Sequence, residues 1–204
     1  MEIFHISVGL LGANCYIIHK NNKGIIVDPG GDMFRIEKEL NEKNIEPCAV
    51  LLTHGHADHI AAVEEIKNKY NIDVYIHELD EELLKDPKKN LSSMLTMPDI
   101  ITNADKIFNE NKLSIEEIDI EIIHTPGHTQ GSVCFLVGKY LLSGDTVCKG
   151  SIGRTDLIGG SYDDIIKSLE KIKKLPDDIL ILPGHGPATK LIEEKQTNYY
   201  FNRN

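Results

Sequence analysis

The sequence predicts an α/β fold built from mixed strands and helices. Short apolar runs typical of strands occur in both halves of the chain, and amphipathic helical stretches follow them. The chain has 204 residues and is 41% hydrophobic, which suffices for one domain with a substantial core. This pattern indicates the fold class but leaves the architecture open.

The first half opens with an antiparallel meander, because short turns alone separate three apolar runs. Phe34, Ile36 and Leu40 follow at helical spacing, and Pro47 marks the exit from that helix. The expected elements are strands at 2–8, 14–19 and 24–28, a helix at 32–44, a buried strand at 49–53, a helix at 59–70 and a strand at 74–77.

The second half repeats this order of strands followed by helices. Its strands lead into loops that carry histidine and aspartate, and Ser161 begins a clear amphipathic helix. The expected elements are a strand-like stretch of alternating residues at 112–123, strands at 132–137 and 139–143, a helix at 161–175, a short buried strand at 179–182 and a final helix at 189–199.

The stretch 78–103 is the least regular part of the sequence, with Pro87 and Pro98 among charged residues. Two interpretations stay open. It folds over the edge of the active site, or it is an ordinary helical connection packed on the sheet.

The net charge of −10 argues against a nucleic-acid partner, because no basic stripe offsets the carboxylates. No apolar run reaches membrane-spanning length, and the first residues alternate like a strand rather than like a signal peptide. We therefore expect a cytoplasmic protein with neither a nucleic-acid nor a membrane partner. The oligomeric state is not indicated.

Histidine and aspartate cluster in four motifs. The first, Thr-His-Gly-His-Ala-Asp-His, ends at His59, and the others are Pro-Gly-His128-Thr, Ser-Gly-Asp145-Thr and Pro-Gly-His185-Gly. His54 and His56 leave a strand two residues apart, so both side chains can turn toward one cation. Imidazole donors suit zinc, while the added carboxylates also admit iron or manganese.

These motifs resemble the metallo-β-lactamase superfamily, whose His-x-His-x-Asp-His signature is matched in full within residues 54–59. Finer matches resemble the small glyoxalase II-like hydrolases. They are Ala-Asn-Cys-Tyr at 13–16, Val-Asp-Pro-Gly at 27–30, His-Thr-Pro-Gly-His-Thr at 124–129 and Gly-Ser-Ile-Gly-Arg-Thr-Asp at 150–156. The resemblance covers nearly the whole chain and implies a four-layer αββα sandwich.

The resemblance also implies a site with two divalent ions, zinc first and iron or manganese as alternatives. Asp145 would bridge the two ions, and Asp58 and Asp145 are the candidate catalytic residues. The implied ligands of the first ion are His54, His56 and His128, and those of the second are Asp58, His59 and His185. A hydroxide shared by the ions would attack an acyl thioester, most simply S-lactoylglutathione.

Several residues near these motifs have competing interpretations. Asp58 also suits a helix cap and Asp145 a turn, although ligation is favoured for both. We assign no metal-ligand role to His124. Asp28 either supports the loops that carry the candidate metal ligands or caps a turn.

Arg154 is the candidate substrate-binding residue, since a guanidinium grips a carboxylate with two hydrogen bonds. The alternative is a structural salt bridge to Asp156. We expect one domain over 1–204, without the C-terminal helical region that supplies much of the glutathione site in larger glyoxalase II enzymes.

Two other functions compete with a hydrolase. At the same motifs the chain also resembles the persulfide dioxygenases, which bind a single iron. A mononuclear-iron persulfide dioxygenase is therefore the alternative activity. A metal-stabilised scaffold fits less well, because seven ligands for two ions leave coordination positions open.

The four cysteines lack the Cys-x-x-Cys spacing of structural zinc or redox sites. We expect Cys15, Cys48 and Cys134 to be buried. Cys148 is either packed or faces the active-site cleft.

Overall fold

The computed structural model of the protein describes residues 1–95 and 98–202, whose contacts divide the chain into two compact units. The first unit comprises Met1–Asn109 and Ser114–Ile118. The second comprises Glu110–Leu113 and the chain from Asp119 onward. Each unit has its own cluster of buried apolar side chains. The expectation of one domain over 1–204 stays a prediction.

The first sheet has six strands in sequence order. They are β1 Glu2–Val8, β2 Ala13–Lys20, β3 Lys23–Val27, β4 Glu46–Leu51, β5 Asp73–His77 and β6 Lys106–Phe108. β1, β2 and β3 pair antiparallel, which confirms the predicted meander. β3 to β6 pair parallel, and Val27 lies opposite Leu51. The carboxyl ends of β3 and β4 therefore meet at one edge, where Asp28 and Thr53 follow.

Four helices belong to the first unit. They are α1 Met33–Glu42, α2 Ala57–Ile60, α3 Val63–Tyr70 and α4 Glu81–Lys85. α1 buries Ile36 and Leu40, and α3 buries Val63 and Ile66, all in the same apolar cluster as the sheet. Burying such side chains supplies most of a helix's stability in a protein.

The single helix predicted over 59–70 is wrong, because α2 and α3 are separate. The Ala62 backbone N–H donates to Pro29 O at 2.9 Å rather than to the carbonyl of Asp58. That carbonyl is packed against Gly30, where a Cβ would lie only 1.6 Å from it. Contact with the turn after β3 thus interrupts the helix.

Pro47 lies inside β4, although the sequence predicted that the strand begins at Ala49. The pairing of β3 with β4 shifts register between Gly24 and Ile25, beside this proline. A proline is tolerated at such an irregularity because it has no N–H to donate to a regular ladder.

The stretch 78–103 packs on the first unit and contacts the loop after β4, and its place at the edge of an active site stays a prediction. It contains α4 and short 3₁₀ turns at Glu78–Asp80 and Ser92–Met94, while residues 96 and 97 lie outside the described part. Leu84 packs in the core of the first unit. Polar groups of the same stretch contact the loop after β4, as described below.

The second six-stranded sheet has the order β14-β13-β10-β9-β8-β7. Its strands are β7 Lys112–Ile115, β8 Ile118–His124, β9 Val133–Val137, β10 Tyr140–Gly144, β13 Leu180–Pro183 and β14 Thr189–Lys190. A small ribbon pairs β11 Val147–Cys148 with β12 Ser151–Ile152. β10 and β13 are parallel, so the loops that begin at Asp145 and Gly184 leave from the same edge.

Two helices complete the second unit, α5 Tyr162–Ile172 and α6 Leu191–Thr197. α5 lies within the helix predicted over 161–175, and Ser161 caps it, since its side chain accepts from Asp164 N at 3.3 Å. The final helix begins two residues later than predicted, because Thr189 and Lys190 pair with β13.

Candidate metal centre

Residues 54–59, in the loop after β4 and the first turn of α2, carry three buried imidazoles, those of His54, His56 and His59. The ring centroids of His54 and His56 are 4.9 Å apart, and those of His54 and His59 are 4.2 Å apart. Asp58 stands in the first turn of α2, and its side chain is 16% exposed. His56 occupies the N-cap position, and no side-chain cap bond is made there, so the capping role considered for Asp58 is wrong.

Asp28 organises this loop from the end of β3. Its Oδ1 accepts from Thr53 N at 2.8 Å, and its Oδ2 accepts from Thr53 Oγ1 at 2.6 Å and faces His59 Nδ1 at 3.1 Å. Because the Thr53 hydroxyl donates its proton to Asp28, its oxygen accepts from His54 Nδ1, 3.1 Å away. Both imidazoles therefore carry a proton on Nδ1, which leaves Nε2 as the nitrogen with a free lone pair. Ligand atoms of Asp28, His54 and His59 lie within 4.8 Å of one another.

In the second unit, Asp145 lies between two histidines. Its Oδ2 is 3.5 Å from His128 Nε2 and 3.8 Å from His185 Nε2. The Gly184 backbone N–H donates to Gly144 O at 2.8 Å, which ties the loops of Asp145 and His185 together. One carboxylate oxygen placed beside two Nε2 atoms is the arrangement expected of a bridging ligand.

A backbone carbonyl orients the imidazole ring of His128. Its Nδ1 donates to the carbonyl oxygen of Arg154 at 2.8 Å, so its Nε2 faces Asp145. Gly153 makes this approach feasible, because a Cβ there would lie 1.9 Å from Asp145 O and 3.1 Å from His128 Nδ1. Arg154 thus contributes through its backbone, a role that sequence analysis missed and that no side-chain pattern signals.

The Arg154 side chain forms the salt bridge considered as the alternative. Its Nε and Nη2 atoms donate to the two carboxylate oxygens of Asp156 at 2.9 and 2.8 Å. The Arg154 and Asp156 side chains are 62% and 70% exposed. The Arg154 guanidinium holds the pKa of Asp156 down at about 2. Whether Arg154 also binds substrate stays a prediction.

His124 contacts backbone and side-chain groups of the second unit, and the expectation that it is not a ligand stays a prediction. Its Nε2 is 2.9 Å from the carbonyl oxygen of Gln130, and its own carbonyl accepts from Lys171 Nζ at 2.6 Å. Both contacts serve the local fold.

The cysteines supply no activated thiol. Cys15 and Cys134 are buried as expected, whereas the prediction for Cys48 is wrong, since Cys48 and Cys148 are half-buried. Burial, reinforced by the Asp145 carboxylate, raises the pKa of the Cys148 thiol to about 12. This thiol is protonated at neutral pH and is therefore a poor nucleophile.

The donor chemistry fits divalent transition metals. The first unit offers three imidazoles and the Asp58 carboxylate, and the second offers two imidazoles and the Asp145 carboxylate. The orienting contacts at Asp28 and at Arg154 O are those that metal-binding histidines usually have.

Within residues 1–95 and 98–202, no helix is both long and apolar enough to cross a membrane.

Comparison with known proteins agrees with this geometry. The family model of the metallo-β-lactamase superfamily matches residues 8–185. A probable metallo-hydrolase of Bacillus subtilis, YqgX, is 38% identical over 99% of this chain and 98% of its own. The hydroxyacylglutathione hydrolase GloC of Haemophilus influenzae is 32% identical over 99% of both chains.

Solved structures show the same fold. BLEG-1, described as a B3 metallo-β-lactamase, superposes with a TM-score of 0.95 at 36% identity, covering 99% of this chain and all of its own. The di-iron-bound form of TTHA1623 gives 0.87 at 30% identity, covering 97% and 99%. The predicted α/β fold of metallo-β-lactamase type is confirmed. From the family model and the relatives together, the chain belongs to the metallo-β-lactamase superfamily of metallo-hydrolases.

Proposed function

We propose that the protein is a binuclear metal-dependent hydrolase that cleaves an acyl thioester, S-lactoylglutathione or a close analogue. The observation that carries the binuclear part is the Asp145 oxygen at 3.5 and 3.8 Å from two imidazole nitrogens. The thioester part is supported by the relative named hydroxyacylglutathione hydrolase, which matches 99% of the chain.

The seven predicted ligands keep their roles in this proposal. Asp145 bridges, and Asp58 and Asp145 are the catalytic carboxylates. The first ion takes His54, His56 and His128, and the second takes Asp58, His59 and His185. Zinc suits this imidazole-rich set, although iron and manganese accept the same donors, and the related TTHA1623 has been solved with two irons. Such a metal pair supplies an activated water and polarises the carbonyl that is attacked.

The protein's own groups act by holding the ligands. Asp28 fixes the proton position on His59 directly and on His54 through Thr53, while the Arg154 carbonyl does the same for His128. Each fixed tautomer leaves Nε2 as the nitrogen that can bind a metal ion. A thioester suits a site without a strong general acid, because its thiol leaves readily as a thiolate.

Arg154 is proposed to bind a carboxylate of the substrate. Its guanidinium is exposed and already held in a forked geometry by Asp156. An exposed ion pair of this kind contributes little to stability, so exchanging Asp156 for a substrate carboxylate costs little.

The proposal is tested by assaying metal-loaded protein with S-lactoylglutathione and with a neutral acyl thioester. We expect hydrolysis of both and two metal ions per chain by elemental analysis. Asp145→Asn removes the bridging charge, so its turnover should fall by about two orders of magnitude or more. Substitution of Arg154 by Ala should raise the KM only for the acidic thioester.

Protein loaded with two ions that hydrolyses neither thioester would contradict the proposal. One iron per chain, together with oxygen uptake on glutathione persulfide, would support the alternative mononuclear-iron dioxygenase.

A further inference from the structure

A second buried carboxylate contacts the histidine loop of the first unit. Asp80 ends the 3₁₀ turn after β5 and is fully buried. Its Oδ2 accepts a hydrogen bond from the backbone N–H of Gly55 at 3.0 Å. Gly55 is the residue between His54 and His56, so this bond fixes the backbone that carries both imidazoles.

Steric contact also restrains the backbone at Gly55. A Cβ at Gly55 would lie 2.6 Å from the Cβ of Leu83 and 3.3 Å from the carbonyl oxygen of Asp80. Neither atom is the end of a flexible side chain, so the loop has no space for displacement toward α4. Only glycine allows this close approach.

The segment at 78–100 also holds the histidine loop at the backbone N–H of Ala57. The Ala57 N–H donates to the carbonyl oxygen of Asn90 at 2.8 Å. Asn90 is itself fixed, since its side chain donates to Ile100 O at 2.9 Å and accepts from Ser92 N at 3.0 Å. The backbone on both sides of His56 is therefore tied to the segment at 78–100.

We propose that Asp80 is a positioning residue that sets metal affinity by holding the backbone between His54 and His56. The inference rests on the proposed ligation by these two histidines. A preformed loop binds a metal more tightly because less conformational freedom is lost on binding. A carboxylate acceptor suits this task, since hydrogen bonds to charged groups are about twice as strong as those between neutral groups.

The test compares Asp80→Ala and Asp80→Asn with the matched control Thr102→Val. Thr102 is also buried, and its Oγ1 donates to Glu64 Oε2 at 3.0 Å, so the control removes a partly buried hydrogen bond that the histidine loop does not use. Zinc affinity is measured by competition with a chromogenic chelator. Visible absorption of the cobalt-loaded protein reports ligand geometry, and thermal unfolding of metal-free protein reports stability.

We expect Asp80→Ala to bind zinc about 10- to 100-fold more weakly and to change the cobalt spectrum. Asp80→Asn keeps an oxygen acceptor for Gly55 N–H and should recover most of the affinity. Thr102→Val should keep the wild-type affinity and spectrum, even if its unfolding temperature falls.

Gly55→Ala also tests whether the backbone position between His54 and His56 sets metal affinity, and it leaves the Asp80 carboxylate unchanged. This variant replaces Asp80→Ala in the test if Asp80→Ala does not fold. Its methyl group would push the loop away from Leu83, so zinc affinity should again fall. Wild-type affinity in both Asp80→Ala and Gly55→Ala would overturn the inference, as would losses of affinity in Asp80→Ala and Thr102→Val that simply follow their losses of stability. A wild-type protein that binds neither zinc nor cobalt would overturn the proposed metal centre itself.

Discussion

At the scale of single residues, Asp28 shows how one carboxylate sets the state of two imidazoles. It adopts a left-handed backbone conformation, with φ of 52°, directly after β3. Aspartate tolerates this region better than most residues. The conformation allows both carboxylate oxygens to reach Thr53, while Oδ2 also reaches His59. A supporting residue thus determines which nitrogen each histidine offers.

The two histidines of the 124–129 motif allow a matched pair of substitutions. His128→Ala should lose one metal ion and nearly all activity, because it removes the Nε2 that faces Asp145. His124→Ala should keep both ions and most activity, because His124 Nε2 faces only the Gln130 carbonyl. Elemental analysis and a zinc titration measure both results. The reverse result would show that the ligand is misassigned.

The salt bridge of Arg154 and Asp156 predicts a pH effect. The pKa of Asp156 is lowered to about 2 in the folded protein, so the pair stabilises the fold at neutral pH and this contribution disappears as the pH falls toward 2. Because both groups are largely exposed, the effect on stability should be small. NMR titration of the Asp156 carboxyl should give a midpoint of about 2, rising toward the ordinary range in Arg154→Ala. An unchanged midpoint in the variant would show that Arg154 is not the cause.

At the scale of elements, α6 stabilises the ribbon of β11 and β12 through one buried carboxylate. Glu194 accepts from Gly150 N at 2.9 Å, from Asn198 Nδ2 at 2.7 Å and from Thr189 Oγ1 at 2.7 Å. Asn198 also donates to Ser151 O at 3.0 Å. Gly153 and Arg154 follow this ribbon, so α6 supports the backbone that orients His128.

Replacing Glu194 by Ala should destabilise the protein by roughly 2 kcal/mol or more. Two buried donors, those of Thr189 and Asn198, would lose an acceptor, at a cost of about 1–3 kcal/mol each. The neighbouring Glu193 is exposed and provides the control, since Glu193→Ala should cost within about 0.5 kcal/mol. Urea unfolding measures both variants. Equal stability of the two would mean that the network at Glu194 contributes little.

At the scale of the whole molecule, metal removal should lower the unfolding temperature. An ion that binds only the folded chain adds about 2.7 kcal/mol at a free concentration of 100 times its Kd. For a chain of 204 residues, this corresponds to roughly 5–10 °C. Calorimetry with and without chelator measures the difference. An identical unfolding temperature would argue against metal binding by the folded state.

The sequence alone determined the fold class, most elements and the candidate ligands. Strands and amphipathic helices were predictable because they depend on local periodicity, as in β1 to β3 and α5. The ligand motifs were visible because their chemistry is limited to a few residue types at short spacing. The ligand assignment itself stays a prediction, which the metal analyses above test.

Only the tertiary structure decided which groups support those ligands. The Arg154 carbonyl, the Asp80 carboxylate and the break between α2 and α3 all depend on contacts between residues distant in sequence. Backbone acceptors such as Arg154 O have no residue-type signature at all. Asp80 lies in an irregular stretch where hydrophobic periodicity is weak, so its burial became apparent only once α4 and the histidine loop were packed together.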